Sequence, residues 1–202
     1  MLRSSCRFST RRIVVACIVF SSFAEAASSE GQTVNDKWQD NIPKQAAHEN
    51  NEAVENARRG DYARAVSRFD KALSIKPDYY TASFNRALAL DFRGWKGDDE
   101  RAEQGWKQTV EIAEKNGIKD PGLYNTYGWF LYLRGRRDEA KQWYERALSL
   151  DENHPRVLNN LGVLHESSGD VAKAKEYYDR AGKAGNPKGK ENLERLQRRA
   201  TQ

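Results

Sequence analysis

From about residue 46 onward, apolar residues recur at helical spacing in blocks separated by glycine. Three blocks share one order: Gly60-Asp61-Tyr62-Ala63-Arg64-Ala65, Gly135-Arg136-Arg137-Asp138-Glu139-Ala140 and Gly169-Asp170-Val171-Ala172-Lys173-Ala174. Each Ala is followed four residues later by an aromatic and three further on by a second Ala, giving Phe69 and Ala72, Tyr144 and Ala147, Tyr178 and Ala181. Intervals of four and seven share one face of an α-helix, so the spacing predicts helices with a small-large-small stripe. The small residues let neighbouring helices approach and the aromatics fill the gaps between them. Each Gly falls where the chain must reverse, at a turn that needs a residue tolerant of positive φ.

The period is 34 residues, read from Gly135 to Gly169, from Pro43 to Pro77 and from Pro121 to Pro155. With this residue pattern it resembles the tetratricopeptide repeat, a helix-turn-helix unit. The third repeat fits through Tyr124, Gly128, Leu131, Ala140, Tyr144 and Ala147. The fourth fits through Leu158, Gly162, Ala174, Tyr178 and Ala181, with His165 at a position normally held by a large apolar residue. The resemblance implies an all-α, right-handed superhelical solenoid of about four repeats, near 46–79, 80–120, 121–154 and 155–187, within an array over 45–187.

Departures from the period carry information too. In the first repeat Glu49, Glu52 and Asn56 stand where large apolar residues are expected, which predicts a solvent-facing N-terminal cap. The second repeat has both Gly94 and Gly97 at its turn, and Ala102 and Trp106 fit only when counted from Gly97, so three residues are inserted. Four more, around Ala113 to Asp120, predict a longer second helix. Drift explains such insertions more often than function, although Trp95 in the first one argues the other way. Residues 27–44 read as a linker in which Trp38 could dock on the array. Residues 188–202 read as a basic capping helix and tail, with Leu193 and Leu196 on one face.

The N-terminus has a different pattern. Residues 1–12 are basic without an acid, Ile13 to Phe23 are apolar, and Ala24-Glu25-Ala26 offers small residues for cleavage after Ala26, so 1–26 reads as a signal peptide. Secretion or a periplasmic location follows as the expectation, with a mitochondrial presequence as the alternative. The apolar run is too short for a stable membrane span, which needs roughly 20 residues. Thr10-Arg11-Arg12 loosely resembles a twin-arginine signal and leaves the export route open. Cys17 would make a poor lipoprotein site, because only Ile13 to Ala16 would precede it as an apolar region.

Removing residues 1–26 also changes the charge and redox picture. The whole chain carries a formal +5, but the leader's four arginines against Glu25 leave 30 basic and 28 acidic residues in the remainder, which is no nucleic-acid footprint. A basic surplus persists at Lys188, Lys190, Arg195, Arg198 and Arg199, read as a solvated helix face. Both cysteines, Cys6 and Cys17, leave with the leader, so the fold must rest on its hydrophobic core.

No catalytic constellation emerges. His48, His154 and His165 sit in separate segments without metal-ligand spacing, and there is no phosphate loop or G-x-S-x-G. Neither a cofactor nor a metal is expected, and the chain reads as a non-enzyme. Asp98-Asp99-Glu100 and Asp138-Glu139 read as carboxylates placed at the positive ends of helices.

What the resemblance implies for function is a concave face, lined by the first helix of each repeat, that binds extended or helical peptides. Carried over position by position, the candidate peptide-binding residues are Phe84, Leu88 and Phe92 in the second repeat, Asn125, Trp129 and Tyr132 in the third, and Asn159 in the fourth. Aromatics offer pockets for side chains, and amides offer paired donors and acceptors for a peptide backbone. The clamp by which some family members hold chaperone tails is not reproduced, since Asn50, Val54, Gly122 and Thr126 occupy its places and only Asn85 agrees. A peptide- or protein-binding adaptor is therefore expected, with a self-associating structural array as the alternative. A homo-oligomer is compatible with either.

Overall fold

A computed structural model describes residues 41–200. The leader, both cysteines, and the linker as far as residue 40 with Trp38 lie outside the described residues. Among the described residues there are nine α-helices and no strand: α1 (Lys44–Arg58), α2 (Tyr62–Ile75), α3 (Tyr80–Arg93), α4 (Asp98–Lys115), α5 (Pro121–Leu133), α6 (Arg137–Leu150), α7 (Pro155–Ser167), α8 (Val171–Lys183) and α9 (Pro187–Ala200). The all-α repeat fold follows, as four helix pairs and one further helix.

Local chemistry sets the helix ends. Gly60, Gly135 and Gly169 take φ of +79°, +80° and +83°, a region a Cβ would make costly. After two of them an Asp caps the next helix: Asp61 accepts from the Arg64 N–H and Asp170 from the Lys173 N–H, each at 3.1 Å. At α5, Pro121 fills the first turn while Asp120 accepts from the Gly122 N–H at 2.7 Å.

The helices fall into two compact units, one ending at Asn116 and holding α1–α4, the other beginning at Gly117 and holding α5–α9. Both use the same core device. Phe69, Trp106, Tyr144 and Tyr178, the aromatics of successive second helices, are fully buried. Each contributes on the order of 2–3 kcal/mol by leaving water. Buried alanines flank Phe69, Tyr144 and Tyr178 on both sides, but beside Trp106 the second small position is Thr109. Its hydroxyl donates to the Gly105 carbonyl at 2.8 Å and lies 2.8 Å from Ser83 Oγ, which must then be the donor to it. A polar atom in the core is thereby satisfied.

In the first unit, α1 departs from the solvent-facing reading. Ala46, Asn50, Ala53 and Ala57 form a buried stripe, and α1 packs on α2. The spacing of 4, 3 and 4 residues is itself helical and offset from the positions first compared. Glu49 and Glu52 remain at the edge and reach Arg68 of α2, at 3.0 and 3.7 Å. The second repeat behaves as its spacing predicts: Gly94 and Gly97 both have positive φ, and α4 runs for 18 residues where the other helices have 13 to 15.

In the second unit each helix packs on the next, and α7 also touches both α5 and α9. Helices α5, α7 and α9 therefore form one layer and α6 and α8 the other. Two glycines permit the close packing between layers: a Cβ on Gly128 would stand 2.8 Å from the Tyr144 ring, and one on Gly162 2.5 Å from that of Tyr178.

Candidate peptide-binding site

The candidate residues of the first unit lie along α3 at different depths. Phe84 is half-buried, set edge-on against the buried Trp106 with ring centroids 5.2 Å apart. Phe92 is also half-buried and stacks on Tyr62 of α2 at 5.5 Å. Leu88, between them, is only 4% exposed, so it supports this face from beneath and has almost no surface to offer a ligand. The helical register that aligns it with Phe84 and Phe92 does not control how deeply each is covered.

In the second unit the layer α5, α7 and α9 carries rows of amides. Asn125 accepts from the Nδ2 of Asn160 at 2.9 Å, joining α5 to α7. One repeat later Asn159 accepts from the Nδ2 of Asn192 at 3.1 Å, joining α7 to α9. The first bond spans 35 residues and the second 33, so the same link recurs at close to the repeat period. Asn125 is 8% exposed and acts mainly as the acceptor that orients Asn160, whereas Asn159 and Asn160 are half-exposed.

Trp129 and Tyr132 complete α5's contribution. Their rings stack at 5.2 Å with 22° between planes, and both are partly open to solvent. An indole and a phenol already stacked in one arrangement have little rotamer freedom left to lose on binding, which favours their use as an anchor.

A charged cluster closes the far end of this layer. Arg195 of α9 donates twice to Glu166 of α7, at 2.6 Å each, Arg199 stands 3.9 Å away, and the Tyr178 hydroxyl donates to the same carboxylate at 2.8 Å. These bonds, Arg195 foremost, hold the Glu166 carboxyl below the usual range. Burial, reinforced by the bond to Glu166, pushes the Tyr178 hydroxyl up.

The histidines have local roles. His154 caps α7, its Nδ1 accepting from the Val157 N–H at 3.4 Å, and burial depresses its pKa. His165 stacks on Tyr177 at 5.3 Å and lies 3.6 Å from Asp170. No group of three His, Cys, Asp or Glu side chains able to hold a metal occurs among the described residues.

The matches to known proteins fit this geometry. A family model described as TPR repeat matches residues 130–169, and one described as tetratricopeptide repeat matches 50–106. Human tetratricopeptide repeat protein 36 is 30% identical over 138 residues, covering 64% of this chain and 71% of that protein. The chain belongs to the tetratricopeptide repeat (TPR) family. A second relative, the uncharacterized protein ycf37 of Porphyra purpurea, is 38% identical over 74 residues, 37% of this chain and 43% of its own length. The type IV pilus assembly protein PilF of Pseudomonas aeruginosa is 31% identical over 128 residues, 61% of this chain and 47% of PilF. In a solved structure of PilF the fold aligns with a TM-score of 0.68 at 22% identity, over 78% of this chain and 70% of that one. The chain thus spans less than half the length of two of these three curated relatives.

Within the TPR pattern, Asn160, Asn192 and the Glu166–Arg195 pair are the parts of the layer that reading one repeat at a time missed. Their signal is a pairing between repeats: an Asn at the fifth position of one first helix and another at the sixth position of the next. Asn192 shows that α9, besides capping the array, occupies the place of another first helix.

Proposed function

We propose that this chain is an exported, non-enzymatic adaptor that holds an extended segment of a partner protein on the α5–α7–α9 layer of its second unit. TPR proteins generally mediate protein–protein interactions. The observation that carries the reading is the half-exposed Trp129–Tyr132 stack beside the amide pairs Asn125–Asn160 and Asn159–Asn192. The stack offers an apolar seat for a side chain, and the amides offer donors and acceptors to a peptide backbone. Phe84 and Phe92 give the first unit a second aromatic surface of its own. The assembly role in PilF's name suits an adaptor of this kind, and the leader motif supports export with cleavage after Ala26.

The test is affinity capture from the native compartment with residues 27–202, beside a Trp129→Ala/Tyr132→Ala variant whose helicity and melting match the parent. A partner retained by the parent and lost by the variant supports the reading. Identical captures, or capture of the chain's own copies alone, would favour a self-associating array instead. Intact-mass analysis of protein from its source tests export: a mature chain beginning at Ala27 is expected, and a retained residue 1 rules cleavage out.

A further inference from the structure

We infer that the segment bound on the α5–α7–α9 layer is acidic. The inference rests on that layer being the binding face, and it comes from where the C-terminal cations fall.

Lys188, Asn192, Arg195 and Arg199 are spaced by 4, 3 and 4 residues, so they form a single stripe along α9. Two bonds fix which way the stripe faces: Asn192 reaches Asn159, and Arg195 reaches Glu166, both on α7. The stripe therefore borders the amide rows, and the cations at its two ends, Lys188 and Arg199, remain well exposed, at 58% and 69%. On α7, Arg156 precedes Asn159 and Asn160 by three and four residues and shares their side of the helix. It stands in the first turn, beside Pro155, where the helix dipole disfavours a cation. A bound carboxylate there would offset that cost.

The charges on this face do not cancel. Arg156, Lys188, Arg195 and Arg199 stand against Glu166 and Glu191, a surplus of two that equals the surplus of all residues after the leader. Glu166 is neutralised within the fold by Arg195, and Glu191 pairs with Lys188 at 3.0 Å. As a solvated helix face these cations would need no fixed relation to the amides, yet the register aligns them. An acidic protein segment fits better than a nucleic acid: the amide rows suit a peptide backbone, and two net charges fall well short of the roughly six to ten phosphate contacts that typify nucleic-acid binding.

The test is selection of a random dodecapeptide library on the full chain, on Lys188→Glu/Arg199→Glu and on Trp129→Ala/Tyr132→Ala, each verified by circular dichroism and melting. Peptides selected on the parent should be enriched in Asp and Glu over Lys and Arg by about threefold, and the best should bind the charge-reversed variant about tenfold more weakly. An equimolar dodecathymidylate should fail to compete. Selected peptides without acidic bias, equal affinity for the charge-reversed variant, or competition by the oligonucleotide would each overturn the inference. If Trp129→Ala/Tyr132→Ala still loses those peptides, the binding face itself stands. Selection of nothing, or of the same peptides on that aromatic variant, removes the face and the inference together.

Discussion

Asp98 takes both arms of the Arg93 guanidinium, Nε at 2.8 Å and Nη2 at 2.6 Å, and the same carboxylate accepts the backbone N–H of Trp95 at 2.9 Å. The inserted turn between α3 and α4 is thus built around a buried ion pair, while Arg93 also lies 4.2 Å from the Trp95 ring centre and the indole stays 60% exposed. Reading Asp98 as a simple helix-start carboxylate understated it.

Removing one partner leaves the other charge buried. Asp98→Asn is expected to cost about 3–5 kcal/mol, because the side chains of Arg93 and Asp98 are only 9% and 2% exposed. Urea unfolding measures it; a loss under about 1 kcal/mol, typical of exposed pairs, would show that the pair is solvated in solution.

Acid should erase that difference. The Arg93 hydrogen bonds hold the Asp98 carboxyl below its ordinary value of 3.8, so the unfolded chain takes up this proton before the native one does. The pair's contribution is complete above the unfolded value and is lost as pH falls through the folded one. The stability gap between the parent and Asp98→Asn should therefore narrow from about pH 5 to about pH 2. A gap that stays constant over that range contradicts the assignment.

Tyr144 and Tyr178 occupy equivalent positions one repeat apart with different hydroxyl environments. The Tyr178 hydroxyl donates to Glu166, whereas that of Tyr144 is buried with no hydrogen-bond partner among the described residues. Tyr178→Phe should cost about 1.5–3 kcal/mol, as for a bond to a charged group, and Tyr144→Phe should be neutral or stabilising by about 1 kcal/mol. Thermal melts of the two variants compare them directly, and equal losses would place a partner on Tyr144.

Glycine substitutions should rank by the space each leaves. A Cβ at Gly162 meets the Tyr178 ring at 2.5 Å, at Gly128 the Tyr144 ring at 2.8 Å, and at Gly105 the Ala87 Cβ at 3.1 Å. Overpacking costs about 1–3 kcal/mol, against about 1 kcal/mol of helix propensity regained. Gly162→Ala should be the most destabilising, Gly128→Ala next and Gly105→Ala close to neutral; chemical denaturation gives the order, and a large loss at Gly105 alone would reverse it.

Helices, turns and repeat count were legible in the sequence, because a 3.6-residue period, a Gly where φ turns positive and an Asp that caps the next helix act within a few residues of one another. Gly60-Asp61 and Gly169-Asp170 needed no partner from elsewhere to be understood, and Gly94 with Gly97 disclosed the insertion before its shape was known. Trp129 and Tyr132 were found the same way, three residues apart on one helix, although only the structure shows that they stack. The rest was decided by contacts made across repeats. Leu88 shares a register with Phe84 yet is buried, and α1 turns a stripe of alanines inward although its glutamates suggested solvent, because burial depends on which helix covers which face. Asn125 with Asn160, Asn159 with Asn192 and Glu166 with Arg195 meet across roughly one repeat of chain. No local periodicity encodes which side chain of the next repeat arrives beside a given one; tertiary packing of α5, α7 and α9 does.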